Sequence, residues 1–243
     1  AGVVAPMIVD ATLAGGGTQQ QGYVIASAIF GATSIIPYLL IFFAVRENVP
    51  PEAQPQEVSL RETVRRIWNN VPFRYAAAIY MLNWVAFDLV AAVLPFFLVY
   101  WIAQGDLLLK MPVIGMPIES AVLGIMAVLA IPILPLWSWA AQRFGKQPTY
   151  LVAIAFWALI LMSLLMVPPM HMGLIVIMAV LMSFSYSAAH MLPDAIFPDV
   201  IDWDELHTGE RHEGIYYGAK NFIRKLTTAF ALFLALQVLG WLG

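Results

Sequence analysis

A chain of 243 residues that is 61% hydrophobic and 11% charged is too apolar for an ordinary soluble domain, where about a quarter of residues are charged. The net charge of −3 argues against a nucleic-acid partner, and the absence of cysteine excludes disulfides, thiolate catalysis and zinc–thiolate sites. The apolar excess falls in runs of about twenty residues, enough to cross a hydrocarbon core of roughly 30 Å, so the fold class is an all-α, polytopic membrane bundle rather than a barrel of short alternating strands.

Residues 1–14 read as the tail of a span, and both chain ends fall in apolar runs, so the sequence reads as a piece of a longer protein. GGGTQQQG at 15–22 reads as a turn. Tyr23 to Val45 is the first complete span, stopped by Arg46, Glu47 and the Pro50–Pro51 pair. Residues 46–58 form a Pro/Glu/Gln linker without apolar periodicity. Ser59 and Glu62 make a capping box, so a short helix starts there, with Leu60, Val64, Ile67 and Trp68 on one face and Arg61, Arg65 and Arg66 elsewhere. That pattern suits a helix lying on a membrane surface.

Five more spans follow: about Arg74–Ala103, Glu119–Ala141, Thr149–Val167, Gly173–Leu192 and Gly214–Leu242. The third contains Pro132 and Pro135, tolerable where neighbouring helices re-satisfy the backbone. The stretch from Pro198 to Glu213 is an acidic loop between the last two. Lys and Arg concentrate in alternate loops, at 46–74, 142–148 and 198–213, which places these loops in the cytoplasm. Three regions result: 1–45, 46–73 as a cytoplasmic linker with an amphipathic helix, and 74–243 as a helical bundle.

Charge inside an apolar span is expensive and points to function. Asp88 lies roughly 20 Å along its span from Arg74, and Lys225 roughly 16 Å into the last one, so their matched depth makes them a candidate ion pair. They would line a polar cavity for a solute or coupling ion. Asn83 and Trp84 precede Asp88, and Trp84 shares its face at i, i+4. Tyr217, Asn221, Arg224 and Lys225 fall at i, i+4, i+7 and i+8 of the last span, a stripe that should face protein or water. Lys220 reads as reaching cytoplasmic headgroups. His190 ends its span at the cytoplasmic side and either faces a cavity or packs as a structural group. His207 and His212, in an H-x₄-H spacing, do not fit the H-E-x-x-H pattern of a zinc helix, so no metal site is expected.

The stretch PDVIDWDELHTGERHEGIYYGAKNFIRK resembles the segment between helices 10 and 11 of the glycoside–pentoside–hexuronide:cation symporters, the major facilitator branch that includes melibiose permease. The resemblance rests on Asp199, Asp202, Trp203, Glu205, Thr208, Gly209, Arg211, Glu213 and Gly214, followed by Lys225 in the next helix. SLRETVRRIWNNVPF with NWVAFDLVAAVLPFFLVYWI is similar to that family's central loop and helix 7, and RFGKQPTY to its loop between helices 8 and 9. The resemblance implies a partial major facilitator fold running from the end of helix 5 to helix 11, with 1–45 in the N-terminal helical half and 74–243 in the C-terminal half.

It implies symport of a sugar or glycoside-like solute with Na⁺ or H⁺, no other cofactor, and a multi-pass location in a bacterial inner membrane. A lysolipid is the alternative cargo, and a non-transporting membrane protein the alternative role. Enzymatic chemistry is not expected, because the sequence offers no nucleophile–base pair, metal signature or phosphate loop. By the same resemblance Asp199, Asp202, Arg211 and Glu213 close a cytoplasmic gate. Lys225, Asp88, Asn83, Trp84, His190, Tyr217 and Asn221 form the solute and cation site. His190 stands where melibiose permease has an aromatic residue facing the sugar, a departure from the galactoside pattern.

Overall fold

A computed structural model of the chain describes residues 4–45, 59–106, 109–111, 115–209 and 211–242. The linker expected at 46–58 and Glu210 lie outside these residues. The chain divides into two compact units, Ala1–Glu57 and Val58–Gly243.

The first unit is a helical pair, α1 (Val4–Ala14) and α2 (Gln19–Ala44). Gly22 lets them touch, since a Cβ there would lie 2.8 Å from the Cα of Val9. The expected turn at 15–22 is shorter than the glycines suggested. Thr18 caps α2, accepting from the Gln21 amide at 3.2 Å while the Gln21 side chain accepts from the Thr18 amide at 2.9 Å. That reciprocal pair converts polar residues that looked like loop into a first helical turn.

The second unit holds α3 (Leu60–Asn69), α4 (Val71–Phe96), α5 (Ile118–Phe144), α6 (Lys146–Leu164), α7 (Met172–Met191), α8 (Phe197–Thr208) and α9 (Glu213–Leu242). Ser59 caps α3 by accepting from the Glu62 amide at 3.2 Å. Asn70 caps α4, accepting from the Phe73 amide at 2.9 Å, with Pro72 in the first turn where its missing N–H costs nothing. Just past Pro95 the helix widens into a π-helical turn over Phe97–Ile102, a local answer to the interrupted hydrogen-bond ladder. Pro132 and Pro135 sit inside a continuous α5.

Among the described residues, six helices are long and apolar enough to cross a membrane, and their outer faces expose large apolar side chains such as Leu82, Leu159, Met162 and Phe230. This is an all-α membrane bundle. Where lipid replaces water, helices associate through close packing rather than hydrophobic expulsion. α5 packs most heavily on α7, whose buried Ala179, Ser183, Ser187 and Ala188 are small enough to allow close approach. Trp137 of α5 locks that contact by donating to the Phe184 carbonyl at 2.9 Å. α4 packs most heavily on α9. An aromatic cluster of Phe73, Tyr80, Phe197 and the fully buried Tyr216 joins α4, α8 and α9, and Asn70 donates to the Tyr216 hydroxyl at 2.8 Å.

The expected acidic loop over 198–213 is largely helical. Pro198 opens α8, Asp199 stands in its positive first turn, and Gly209 closes it at φ +73° with its amide bonded to the Glu205 carbonyl. Val200, Ile201 and Asp204 face inward, while Asp202, Trp203, Leu206 and His207 face out. The density of charge had masked an amphipathic period.

Candidate functional site

The α4–α9 seam carries the charges. Asp88 of α4 accepts two hydrogen bonds from Arg224 of α9, Nη1 to Oδ2 at 2.6 Å and Nη2 to Oδ1 at 3.1 Å. The guanidinium also donates to the Thr228 hydroxyl and lies with Cζ 3.8 Å from the Trp84 ring centroid. A planar fork on a carboxylate with one face on an indole is what arginine, not lysine, can supply. The expected Asp88–Lys225 pair is therefore not formed. Depth placed both cations within reach, but one residue turns the side chain about 100° around the helix, and Arg224 is the one that faces α4.

One turn before Arg224, Lys220 meets Asp194 of the 3₁₀ turn Asp194–Ile196 at 2.5 Å. Its ammonium lies 5.2 Å from the Phe197 ring and 5.5 Å from those of Tyr80 and Tyr217. The Lys220 side chain is only 14% exposed, so the reading of Lys220 as a headgroup contact gives way to an internal pair inside an aromatic surround. Neither Arg224 as the partner of Asp88 nor Asp194 stood out in the sequence. The i, i+4 spacing of Lys220 and Arg224 was the available signal.

Trp84 and His190 lie against this seam. The two rings meet edge to face at 4.9 Å, and His190 also contacts Phe87 at 4.8 Å and stacks on Tyr186 at 4.4 Å. Tyr217, Asn221 and Lys225 are exposed on α9, with the Tyr217 ring at the edge of the seam, 5.5 Å from the Lys220 ammonium. The expected stripe thus divides: Arg224 pairs across the seam, Tyr217 borders it beside Lys220, and Asn221 and Lys225 are exposed. Asn83 does not join them. It is buried, donates to the Ala189 carbonyl at 3.1 Å, and accepts from the Tyr150 hydroxyl at 3.1 Å, so its amide ties α4 to α6 and α7.

The expected gate residues form two separate clusters. Asp199 pairs with Lys146 at 2.6 Å, and Lys146 also donates to the Ala195 carbonyl at 2.8 Å, joining the start of α6 to α8. Arg211 gathers Glu213 at 2.5 Å, Glu205 at 2.7 Å and Asp202 at 3.4 Å. The hydrogen bonds it donates to Glu213 and then Glu205 push its pKa further up, so it stays cationic across the accessible pH range. Both clusters are open to solvent. Below them, the buried Asp204 faces His212 at 3.2 Å, and Arg66 of α3 reaches the same imidazole. His207 stacks on Trp203 at 3.9 Å and bonds to that residue's carbonyl within its own helix.

A family model described as MFS/sugar transport protein matches residues 1–243. Relatives include an uncharacterized symporter of Synechocystis sp., 27% identical over 77% of this chain and 33% of that protein. A sodium-dependent lysophosphatidylcholine symporter 1-A of Danio rerio is 27% identical over 93% of this chain and 41% of that protein. A candidate sulfoquinovose importer of Salmonella typhimurium is 27% identical over 91% of this chain and 45% of that protein. The chain spans between a third and a half of the length of these relatives. With six apolar spans among the described residues and a family match over its whole length, the chain belongs to the MFS/sugar transport protein family.

Proposed function

We propose that this chain supplies part of a secondary active transporter that carries a sugar or glycoside-like solute with Na⁺ or H⁺ by alternating access. The observation that carries the reading is the polar composition of the first half of α9. Lys220 and Arg224 are held by carboxylates of neighbouring elements, while Tyr217, Asn221 and Lys225 present donors and charge on an exposed face. Such a face on a spanning helix belongs against water, solute or other protein rather than lipid. Transporters of this build hold solute near the midplane between halves that rock. Lys225, Tyr217 and Asn221 would then contact the solute or face the opposing half. Asp88, Trp84 and His190 would form the wall behind them.

The Lys146–Asp199 and Arg211 clusters fit a cytoplasmic gate. They are exposed enough to break and re-form, and numerous enough to bias a two-state equilibrium. A lysolipid is the second reading, favoured by the name of the Danio rerio relative. The 243-residue chain by itself is not expected to transport, because an alternating-access mechanism needs two opposed halves.

The test uses the complete transporter in proteoliposomes, with glycosides, sulfoquinovose and lysophosphatidylcholine offered under Na⁺ and H⁺ gradients. Gradient-dependent uptake of a glycoside, lost in Lys225→Gln, supports the sugar reading. Uptake of lysophosphatidylcholine alone replaces it with the lipid reading. No uptake of any solute under either gradient overturns symport.

A further inference from the structure

The short helix α3 has two different sides. One is docked: Ile67 packs against the aromatic cluster that holds Phe73 and Tyr216, and Arg66 reaches the His212 imidazole. Ile67, expected beside Val64 and Trp68, is therefore taken up by the bundle. The other side is exposed and carries Arg61, Val64, Arg65 and Trp68 at i, i+3, i+4 and i+7. Val64 is 63% exposed and Trp68 68%.

These four side chains, with Asn69, line an open groove of about 770 Å³. Glu62 is the carboxylate among its lining residues, so the two guanidiniums leave the groove positive. Neither Arg61 nor Arg65 takes part in any of the ion pairs among the described residues. The position of the helix adds a second observation. Asn70 ends α3 and caps α4, so α3 sits at the mouth of a membrane span. The first turn of that span exposes Arg74 and Tyr75, the latter by 70%, and arginine and tyrosine are residue types that settle at headgroup depth. The Arg74 amide bonds to the Asn70 carbonyl, which puts that depth one helical turn from the end of α3.

We infer that the stripe of Arg61, Val64, Arg65 and Trp68 is a binding site for anionic phospholipid, in the leaflet that the lysine and arginine bias makes cytoplasmic. Arg61 and Arg65 donate to headgroup phosphate oxygens, while Val64 and Trp68 enter the boundary between headgroups and acyl chains. A negatively charged leaflet strengthens this attraction by about fivefold in affinity for each arginine. The bound lipid holds the linker helix on the membrane, beside the bundle to which its other side is docked. The phosphates of a leaflet supply both the charge and the apolar depth that the stripe matches.

The complete transporter in phosphatidylcholine nanodiscs containing phosphatidylglycerol tests this. A benzophenone amino acid in place of Val64 should crosslink, on illumination, to phosphatidylglycerol in preference to phosphatidylcholine. The variant Arg61→Gln with Arg65→Gln should lower that preference by about tenfold or more. Arg61→Lys with Arg65→Lys, which keeps the charge, should retain it. An unchanged melting temperature in the Gln variant separates loss of the site from misfolding, since both arginines are exposed. With the native arginines, raising the salt concentration should erode the same preference, a reading that needs no charge variant.

Crosslinks to peptide instead of lipid would assign the stripe to a protein surface and overturn the inference. So would equal capture of the two lipids, no capture of lipid, or a preference that survives both high salt and the Gln substitutions. None of these outcomes depends on whether the protein transports, so the symporter reading stands or falls separately.

Discussion

Arg224 of α9 grips Asp88 of α4 through both terminal nitrogens, at 2.6 and 3.1 Å, with its guanidinium laid over Trp84. The Asp88 side chain is 12% exposed and that of Arg224 28%, so either charge left alone would be largely desolvated. Removing one partner of a buried pair costs more than the pair itself contributes. Asp88→Asn and Arg224→Gln should each destabilise the protein by about 2–4 kcal/mol. The double variant should recover about 1–3 kcal/mol of the summed loss. Unfolding in mixed detergent reads both, and strictly additive losses would show that the fork is not an energetic unit.

Lys225 should behave in the opposite way. Its side chain is exposed on α9 and takes part in none of the described ion pairs. Lys225→Gln should change unfolding stability by no more than about 0.5 kcal/mol. It should still abolish gradient-driven uptake by the complete transporter. Normal uptake by the variant would remove Lys225 from the transport site.

Asn83 is tied within the bundle rather than open to a solute. Asn83→Ala would orphan the Tyr150 hydroxyl and the Ala189 carbonyl, both buried. A loss of about 1–3 kcal/mol in stability is expected, with solute affinity unchanged. Weakened solute binding at unaltered stability would return Asn83 to the site.

Lys146 and Asp199 join the start of α6 to α8 through an exposed pair, which is worth at most about 1 kcal/mol and so shifts a two-state population by about fivefold. Lys146→Asp should move the balance between open and closed cytoplasmic states by that order. The charge swap Lys146→Asp with Asp199→Lys should restore it. Because the chain has no cysteine, a single Cys introduced at the Leu206 surface and labelled with a maleimide can report opening. Identical labelling rates in single and swapped variants would exclude a gating role for the pair.

Six membrane spans were legible from twenty-residue apolar runs, because crossing a bilayer imposes a length that composition alone reveals. Ser59 as a helix cap was legible too, since capping is local and needs only a side chain three residues from the amide it satisfies. Two segments misled. Thr18 and Gln21 looked like loop because their glycine neighbours dominate the composition. Residues 197–208 looked like loop because six of the twelve positions are polar, although Val200, Ile201 and Asp204 keep a buried period.

The partner of Asp88 shows where one-dimensional reasoning stops. Sequence fixes depth along a helix at about 1.5 Å per residue, which left Arg224 and Lys225 equally eligible. Rotation about the axis is set by packing, and only the closeness of α4 to α9 turned Arg224 inward and Lys225 outward. The sequence by itself determined that this is a helical membrane protein with costly charges along one late span. The tertiary structure decided which of those charges hold one another and which stay exposed. The reason is that hydropathy is a property of each residue, whereas an ion pair requires two helices to agree on a facing direction.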